Sequence, residues 1–279
     1  MLREDVQKEL IEKGRRFMHG YFEDDPYLEE FESDQDRRLP QPPLVKAPMA
    51  ADCNRIELTK DFTSIPMMHN FSQLLEARRS ARIYTQEDMT LTQLSFLLWS
   101  CQGVKSLRGK SYATLRTVPS GGARHAFETY LVIRKIDDLK PGVYHYLPME
   151  HALEFLGEVE NLDDKITESL SGQSWAAKAN VVFFWSMVPY RAEWRYGIYA
   201  HRVALMDAGH MAENLYLACT AIGVGCCAIG AFRDQLCNQL LTLDGEEEFT
   251  LYVMPVGTVR ACDRAEEQSF YRFVDEESL

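Results

Sequence analysis

The chain has 279 residues, 46% of them hydrophobic, which is enough for one large domain or two small ones with a buried core. Its formal net charge is −12, and this acidic excess argues against nucleic acid or an anionic membrane as the main partner. No apolar run has the length of a membrane span, and Met1 to Asp5 lack the apolar core of a signal peptide. The seven scattered cysteines indicate reduced thiols rather than a disulfide framework or a zinc site. We therefore expect a cytoplasmic globular protein.

The N-terminal part differs in character from the rest of the chain. Residues 1–25 are charged with intermittent apolar positions, which predicts one amphipathic helix. From Pro26 to about Asp61 the sequence is acidic and proline-rich without periodicity, as expected of an extended arm. Such an arm would be hard to keep ordered on an isolated subunit, so we expect it to wrap a partner. We assign residues 1–60 to the helix and arm, and residues 61–279 to the folded domain.

A basic run follows the first apolar helical pattern of this domain. Phe71, Leu74 and Leu75 predict a helix that leads into Arg78-Arg79-Ser80-Ala81-Arg82. Guanidinium groups and a hydroxyl within one turn suit a phosphate monoester, because Arg offers planar pairs of donors and Ser adds a compact one. The alternative is a solvated basic helix end that answers the C-terminal helix dipole.

The remaining sequence mixes helical and extended patterns. Thr90 is placed to cap a helix over Leu91–Val104 that ends at Gly103 or shortly after. Val181–Val188 is nearly all apolar, as expected of a central strand covered on both faces. Since strands and helices do not alternate strictly, we expect an α+β sandwich, a mixed sheet flanked by helices. The other predicted strands are 127–134, 143–147, 153–156 and 249–256, the last stopped by Pro255 and Gly257, and the other predicted helices are 161–170 and 199–222.

A glycine-containing turn precedes the strand that starts at Phe127. In Val118-Pro119-Ser120-Gly121-Gly122-Ala123-Arg124, the two glycines allow the backbone to approach a flat ligand closely and leave amide donors free. The turn lacks the G-x-S-x-G pattern, so Ser120 is a poor candidate for a nucleophile. An ordinary turn is the alternative.

Small residues cover the segment from Ile222 to Phe232, after the long predicted helix. The segment lacks the G-x-G-x-x-G pattern of a dinucleotide-binding turn. Its small side chains would leave room for an aromatic ring system against the backbone, and tight strand packing is the alternative. Gly223 is best explained as the helix C-cap glycine, and Cys226 and Cys227 as packing residues.

Two groups of polar residues belong to the long helix and to the segment before it. Asp207, His210 and Glu213 have the spacing of half a carboxylate–histidine metal site, but no second pair is present, so no metal is expected. Arg195 and Tyr196 could form an exposed clamp or simply anchor a loop.

In chain order, these segments resemble the nitroreductase superfamily, and within it the SagB-type branch of azoline dehydrogenase-like proteins. The resemblance covers about residues 67–260. It is carried by the basic run, the glycine-containing turn, Gly-Val-Tyr-His-Tyr at 142–146, Arg202 with Asp-Ala-Gly-His at 207–210, Gly-Val-Gly at 223–225 and Ala-Ile-Gly-Ala-Phe at 228–232. The family binds FMN at a homodimer interface and works by ping-pong two-electron transfer through the flavin. The resemblance therefore implies a homodimeric FMN-dependent oxidoreductase, with NAD(P)H as a candidate donor and a small molecule or a peptide as substrate.

The resemblance also implies roles for individual residues. The basic run would hold the FMN phosphate, and Arg260 would make a further contact with it. The backbone of residues 229–231 would face N5 and O4 of the isoalloxazine, and the glycine-containing turn, from either subunit, would lie along the flavin and ribityl chain. The implied cofactor-binding set is Arg78, Arg79, Ser80, Arg82, Pro119, Ser120, Gly121, Gly122, Arg124, Ile229, Gly230, Ala231 and Arg260.

Some members of this branch have a Lys-Tyr pair shortly before the long helix, associated with oxidation of azolines to azoles. The corresponding residues here are Arg195 and Tyr196, which become the catalytic candidates. Since Arg does not release its proton as Lys can, azole formation on a peptide is only one option.

Two other functions stay open. The long arm and the altered pair are also compatible with a non-catalytic flavin- or peptide-binding component of a peptide-modification complex. A metal-dependent hydrolase built on Asp207, His210 and Glu213 is the more remote alternative.

Overall fold

The computed structural model describes residues 4–19, 31–49, 55–85, 87–260 and 276. Its helices are α1 (Glu4–Met18), α2 (Phe71–Ala77), α3 (Leu91–Gln102), α4 (Leu162–Ser169), α5 (Pro189–Tyr196), α6 (Ala200–Ala221) and α7 (Asp234–Leu241). Its strands are β1 (Arg55–Glu57), β2 (Val104–Arg108), β3 (Ala113–Arg116), β4 (Phe127–Ile133), β5 (Gly142–Leu147), β6 (Ala152–Gly157), β7 (Val181–Met187), β8 (Val224–Cys226) and β9 (Phe249–Thr258). No described helix has the length and apolar character needed to cross a membrane.

Seven of these strands form one sheet in the order β1-β6-β5-β4-β7-β9-β8, while β2 and β3 form a separate hairpin. Each pairing between the strands of the large sheet is antiparallel, so these strands do not form the predicted mixed sheet, although Ser80 makes an isolated parallel bridge to Cys226 of β8. The reason lies partly in the connections. Strands β4, β5 and β6 follow one another through short turns, and such turns join only antiparallel neighbours, since a parallel pair needs a longer crossover.

The core lies on both faces of the central strands β4 and β7, which are buried along their whole length. Leu131 and Phe183 point to the face covered by α3 and α6. Tyr130 and Phe184, their chain neighbours, point to the opposite face, where α4 and α7 pack. This alternation is the strand period of two, and the layers are those of the predicted α+β sandwich.

Most predicted element positions are confirmed within one or two residues, but β9 runs through the proline and glycine that were predicted to stop it. Thr90 caps α3 in a reciprocal capping box with Gln93. Strand β9, however, passes through Pro255 and Gly257 and ends at Thr258. Pro255 pairs with Val182, and its carbonyl accepts hydrogen bonds from the Cys227 amide (3.3 Å) and the Tyr84 hydroxyl (3.2 Å). These two hydrogen bonds hold the Pro255 carbonyl from segments outside β7.

The described part of the arm, residues 31–49, lies on its own subunit. The Gln35 amide donates to the Trp194 carbonyl (2.8 Å), and the Trp194 indole donates to the Leu39 carbonyl (3.0 Å). Further along, the Lys46 amide donates to a carboxylate oxygen of buried Glu128 (2.8 Å). Residues 31–49 therefore make these contacts with their own chain, and the wrapping of a partner subunit by the arm stays a prediction. Residues 26–30 and 50–54 of the predicted arm lie outside the described residues.

Candidate functional site

The basic run follows directly from the end of α2. Asn70 caps the start of this helix, and Arg78 is its C-cap residue. The chain then runs beside the end of β8, where the Ala81 amide donates to the Cys226 carbonyl (2.8 Å). Gly225 permits this approach, because a Cβ there would lie 2.6 Å from the Ala81 Cβ. The sequence analysis predicted that the small residues of this segment leave space for an aromatic ring of a ligand. At Gly225, the space is instead taken by Ala81 of the basic run.

Tyr216 of α6 connects the basic run to the segment after β8. Its hydroxyl oxygen lies 3.0 Å from the Ser80 hydroxyl and accepts a hydrogen bond from the Ala228 amide (2.8 Å). The Arg78 guanidinium lies 5.3 Å from the centre of the Tyr216 ring. Burial raises the pKa of Tyr216, so its hydroxyl stays protonated. Sequence reasoning missed Tyr216, because a tyrosine in the middle of a helix carries no signal of its own.

The neighbouring Cys227 is a packing residue, as predicted. Its pKa is raised by burial, against the opposing influence of Arg82 and a hydrogen bond from Ser80. A thiol with a raised pKa stays protonated and is a weak nucleophile.

Residues 229–231 form a strip that begins in the sheet at buried Ile229 and continues through exposed Gly230 and Ala231. The Ile229 amide donates to the Val253 carbonyl (2.8 Å), so it belongs to the sheet and is not a donor for a ligand. Gly230 is exposed, and a Cβ on it would meet no atom within 4 Å. The Ala231 carbonyl accepts a hydrogen bond from the Gln173 amide group (2.9 Å). The open backbone at Gly230 is therefore the part of the strip that a planar ligand can reach.

The arginines at the edges of this region have different surroundings. The Arg82 guanidinium lies 5.9 Å from the centre of the Trp175 ring. Arg79, between Arg78 and Ser80, is half-buried. Arg260 is exposed and follows Thr258, which pairs with Val224 of β8. The predicted phosphate-binding arginines therefore lie around the same end of the sheet.

The glycine-containing turn is held by the N-terminal half of α6, whereas Tyr216 belongs to the C-terminal half. Asp207 accepts hydrogen bonds from the Ser120 hydroxyl (2.6 Å) and from the Gly121 amide (3.1 Å). The Ser120 hydroxyl in turn accepts a hydrogen bond from the His125 amide (2.9 Å). Burial raises the pKa of Asp207, opposed by the hydrogen bonds from the turn. Asp207 thus serves the turn, whereas His210, its partner in the alternative metal site, is half-exposed with its Nδ1 3.7 Å from the carboxylate.

Arg195 and Tyr196 pack against this turn from α5. Gly122 has a positive φ of 54°, and a Cβ there would lie 2.6 Å from the Arg195 Nε and 2.7 Å from the Tyr196 hydroxyl. Arg195 donates to the Tyr112 hydroxyl (2.8 Å) and to the Gln35 side chain (3.1 Å). Burial would lower the pKa of Arg195, but hydrogen bonds to the two tyrosines raise it, so this side chain stays charged.

Arg124, by contrast, is built into the wall of the site. It is 4% exposed and donates to the Gly122 carbonyl (3.1 Å) and the Tyr112 carbonyl (2.8 Å). Its guanidinium lies between the rings of Tyr112 and Trp194, 5.0 Å and 5.4 Å from their centres. Arg124 therefore supports the turn, and its contact with a cofactor stays a prediction.

The turn and Arg195 also line an open cavity of about 660 Å³. The β2–β3 hairpin, which the sequence reasoning missed, forms its opposite wall through Lys105 and Arg108. The candidate site thus has two parts on one helix: the basic run and open strip at Tyr216, and the turn and cavity at Asp207. At 1.5 Å per residue, these two anchor residues are about 14 Å apart along α6.

Comparison with known proteins decides the family. Residues 75–258 match the model of the nitroreductase family. The chain belongs to the nitroreductase family. The resemblance predicted from the sequence is thereby confirmed. The nitroreductase-family protein MJ1384 of Methanocaldococcus jannaschii is 34% identical over 188 residues, which are 66% of this chain and 88% of that protein.

Two further relatives are peptide-processing proteins. The microcin B17-processing protein McbC of Escherichia coli is 28% identical over 150 residues, 52% of this chain and 54% of McbC. The trifolitoxin-processing protein TfxB of Rhizobium leguminosarum bv. trifolii is 30% identical over 134 residues, 46% of this chain and 36% of TfxB. The matches thus span about half of McbC and about a third of TfxB.

Solved structures support the same fold. A nitroreductase-family protein of Ralstonia eutropha JMP134 matches 80% of this chain and 100% of its own, with 25% identity and a TM-score of 0.61. A chain of the E. coli microcin synthetase McbBCD complex with truncated pro-MccB17 bound matches 93% of this chain and 95% of its own, with 20% identity and a TM-score of 0.59.

Proposed function

We propose that this protein is an FMN-dependent oxidoreductase that works by ping-pong two-electron transfer. Its membership of the nitroreductase family supports this. The observation that carries the proposal is the connection, through Tyr216, of the half-buried basic run to the open strip at Gly230. A cationic phosphate site next to exposed backbone is the combination that a flavin mononucleotide requires.

The residues at the basic run fit a single phosphate group. Arg78, Ser80 and Arg82 lie within one short segment, with Arg79 among them and Arg260 at the same end of the sheet. Charge-assisted hydrogen bonds from Arg suit a phosphate, and one compact cluster suits a mononucleotide better than a dinucleotide. We therefore propose FMN rather than FAD as the cofactor.

Bound FMN would supply reversible two-electron chemistry, and the chain's own groups would tune it. The Gly230 and Ala231 amides are the candidate donors beside the ring, where they would stabilise negative charge on the reduced cofactor. The Ile229 amide is not available, since it donates to Val253. Tyr196, next to Gly122 of the turn, is the candidate for proton transfer, with charged Arg195 beside it.

We also propose a homodimer with two sites. Within one chain, the turn is anchored at Asp207 and the basic run at Tyr216, and these points lie about 14 Å apart on α6. We expect the turn to lie along the flavin bound by a partner subunit, as the family resemblance implies. Sedimentation velocity of the flavin-loaded protein should give a dimer, and a monomer that keeps its flavin would contradict this arrangement.

The decisive experiment starts from the purified protein. We expect a yellow protein whose released cofactor is FMN, at one per subunit. Under anaerobic conditions NADH or NADPH should bleach the flavin absorbance, and an added acceptor should restore it. A protein that takes up no FMN would overturn the proposal.

A second candidate is a flavin-containing component of a peptide-modifying complex without turnover of its own. The match over nearly the whole length of a chain of the McbBCD complex favours it. The same experiment separates the two, because bound FMN that no donor reduces supports only the second.

A further inference from the structure

One part of this acidic chain is strongly basic. Residues 89–127 contain no Asp or Glu, although the chain as a whole has 42 of them. The same stretch carries five cationic residues: Lys105, Arg108, Lys110, Arg116 and Arg124. In a protein with a net charge of −12, such a segment gives one face the opposite potential.

The fold concentrates these charges around the cavity beside the glycine-containing turn. The β2–β3 hairpin contributes Lys105, Arg108 and Arg116 to its lining, and Arg195 faces them from α5. Lys105 and Arg108 are exposed and have no acidic partner within the described part of the chain. None of the described residues that line the cavity is acidic.

Arg116 is the strongest sign that this cavity takes an anion. Its residue is 5% exposed, yet its three hydrogen-bond acceptors are all neutral: Gln102 (2.7 Å), Thr114 (3.1 Å) and the Leu44 carbonyl (3.3 Å). Burial lowers the pKa of Arg116 to about 10, although the charge of Glu128, which is not hydrogen-bonded to it, acts in the opposite direction, so the guanidinium is still charged at neutral pH. A buried charge without a direct counter-ion is costly, and a ligand carboxylate near it would reduce that cost.

His125, in the same wall, does not compete for this role. Burial, together with the neighbouring charge of Arg116, lowers its pKa to about 2, so the ring is neutral. The positive potential at the cavity therefore comes from the Lys and Arg side chains.

We propose that this cavity binds carboxylate groups of the substrate that reacts at the flavin. Unlike the compact run at 78–82, its cations are spread over the hairpin and α5, which suits several separated carboxylates better than one phosphate. Those carboxylates belong either to Asp and Glu side chains of a peptide or to a small polycarboxylic acid. Calling the ligand a substrate rests on the proposed function, but the binding itself does not.

The test measures binding to the flavin-loaded protein by fluorescence anisotropy. The probe is a fluorescein-labelled octapeptide of alternating Gly and Glu, compared with a Gly–Gln octapeptide. We expect the Gly–Glu peptide to bind and the Gly–Gln peptide not to bind. The affinity for the Gly–Glu peptide should fall steeply when salt is raised from ~0.05 to ~0.5 M. Displacement by citrate identifies the small-acid source, whereas failure of citrate to displace the probe identifies the peptide source.

The variant Lys105→Gln/Arg108→Gln should weaken binding of the acidic probe by about tenfold or more. Both residues are exposed, so the fold and flavin content should be kept.

The matched control is Lys140→Gln/Lys165→Gln, which removes the same charge from other exposed positions. Equal loss in both variants, no binding by the unaltered protein, or displacement by inorganic phosphate in preference to citrate would overturn the proposal. Bleaching of the flavin by NADH or NADPH, measured separately, shows whether the proposed function itself holds.

Discussion

The hydroxyl oxygens of Ser80 and Tyr216 lie 3.0 Å apart, although the two residues are far apart in the sequence. The Tyr216 hydroxyl also accepts a hydrogen bond from the Ala228 amide. One phenol therefore sets the position of the basic run relative to the open strip. For this reason Tyr216 is the positioning residue on which the proposed flavin site depends most.

We expect Tyr216→Phe to weaken FMN binding by about 1 kcal/mol, the usual net value of a neutral hydrogen bond. The ring beneath Arg78 is kept, so the loss reports on the hydroxyl alone. FMN affinity is measured by fluorescence quenching on titration of the flavin-free protein. Tyr144→Phe is the control, because it also removes one hydroxyl bond (2.8 Å to the Lys140 carbonyl) away from the site. Equal FMN affinity in the two variants would contradict the positioning role.

Arg82→Ala should weaken FMN binding by about 1.5–3 kcal/mol, the range for a hydrogen bond to a charged group. Removing a guanidinium from the proposed phosphate site leaves the phosphate with one donor fewer. The same titration measures the effect, with Arg37→Ala in the exposed part of the arm as control. Unchanged affinity would remove Arg82 from the site.

Tyr196→Phe should lower turnover by about 10²–10⁴ while the flavin stays bound, if its hydroxyl transfers a proton to or from the substrate. Steady-state rates and flavin content are measured together. Tyr190→Phe in the same helix is the control, because its hydroxyl donates a hydrogen bond to Asp34 of the arm (2.9 Å), away from the turn. A loss of stability with turnover within a few-fold would mean that Tyr196 only anchors the turn.

The last prediction concerns a buried ion network under the arm. His145 is fully buried, with Nδ1 2.7 Å from Glu154 and Nε2 3.0 Å from Glu128. Burial alone would lower the pKa of His145, but the hydrogen bonds to the two carboxylates raise it. Arg191, also in contact with Glu128, helps to keep the pKa of that carboxyl below its usual range despite burial.

The sign of the pH dependence follows from these directions. A histidine with a raised folded pKa contributes stability that is complete below its unfolded value, about 6.5, and is lost as pH rises through the folded pKa. The lowered pKa of Glu128 contributes stability above its unfolded value, which is lost in acid. The unfolding free energy should therefore fall above pH ~6.5, by up to about 1.4 kcal/mol per pH unit.

Denaturant unfolding between pH 6 and pH 9 measures this slope. The His145→Gln variant should be markedly less stable. Its unfolding free energy should also lack the contribution of His145 to the pH dependence, because a glutamine side chain does not titrate. His201→Gln is the control, since that exposed histidine pairs with Glu193 at the surface (2.7 Å). If His145→Gln does not fold, the ¹⁵N shifts of the His145 ring in the unaltered protein decide, and a neutral ring at pH 7 would contradict the prediction.

Sequence patterns located most of the large elements. The apolar run of β7, the capping box at Thr90 and the helical pattern that becomes α6 were visible because burial and capping leave a local record. The β2–β3 hairpin was missed, since its strand β2 is largely exposed and lacks a run of apolar residues. The extent of β9 was misjudged because the partners of the Pro255 carbonyl come from distant segments.

The sequence by itself determined the family, the α+β class and the candidate residues of the site, because each depends on residue types at short spacing. Only the tertiary structure decided which of these residues are buried, which are exposed and which are bonded to one another. It placed Arg124 in the wall, committed the Ile229 amide to the sheet and brought Tyr216 beside Ser80. These roles depend on which hydrogen-bond partners lie within 3 Å or so across the fold, and no local pattern in the chain records that.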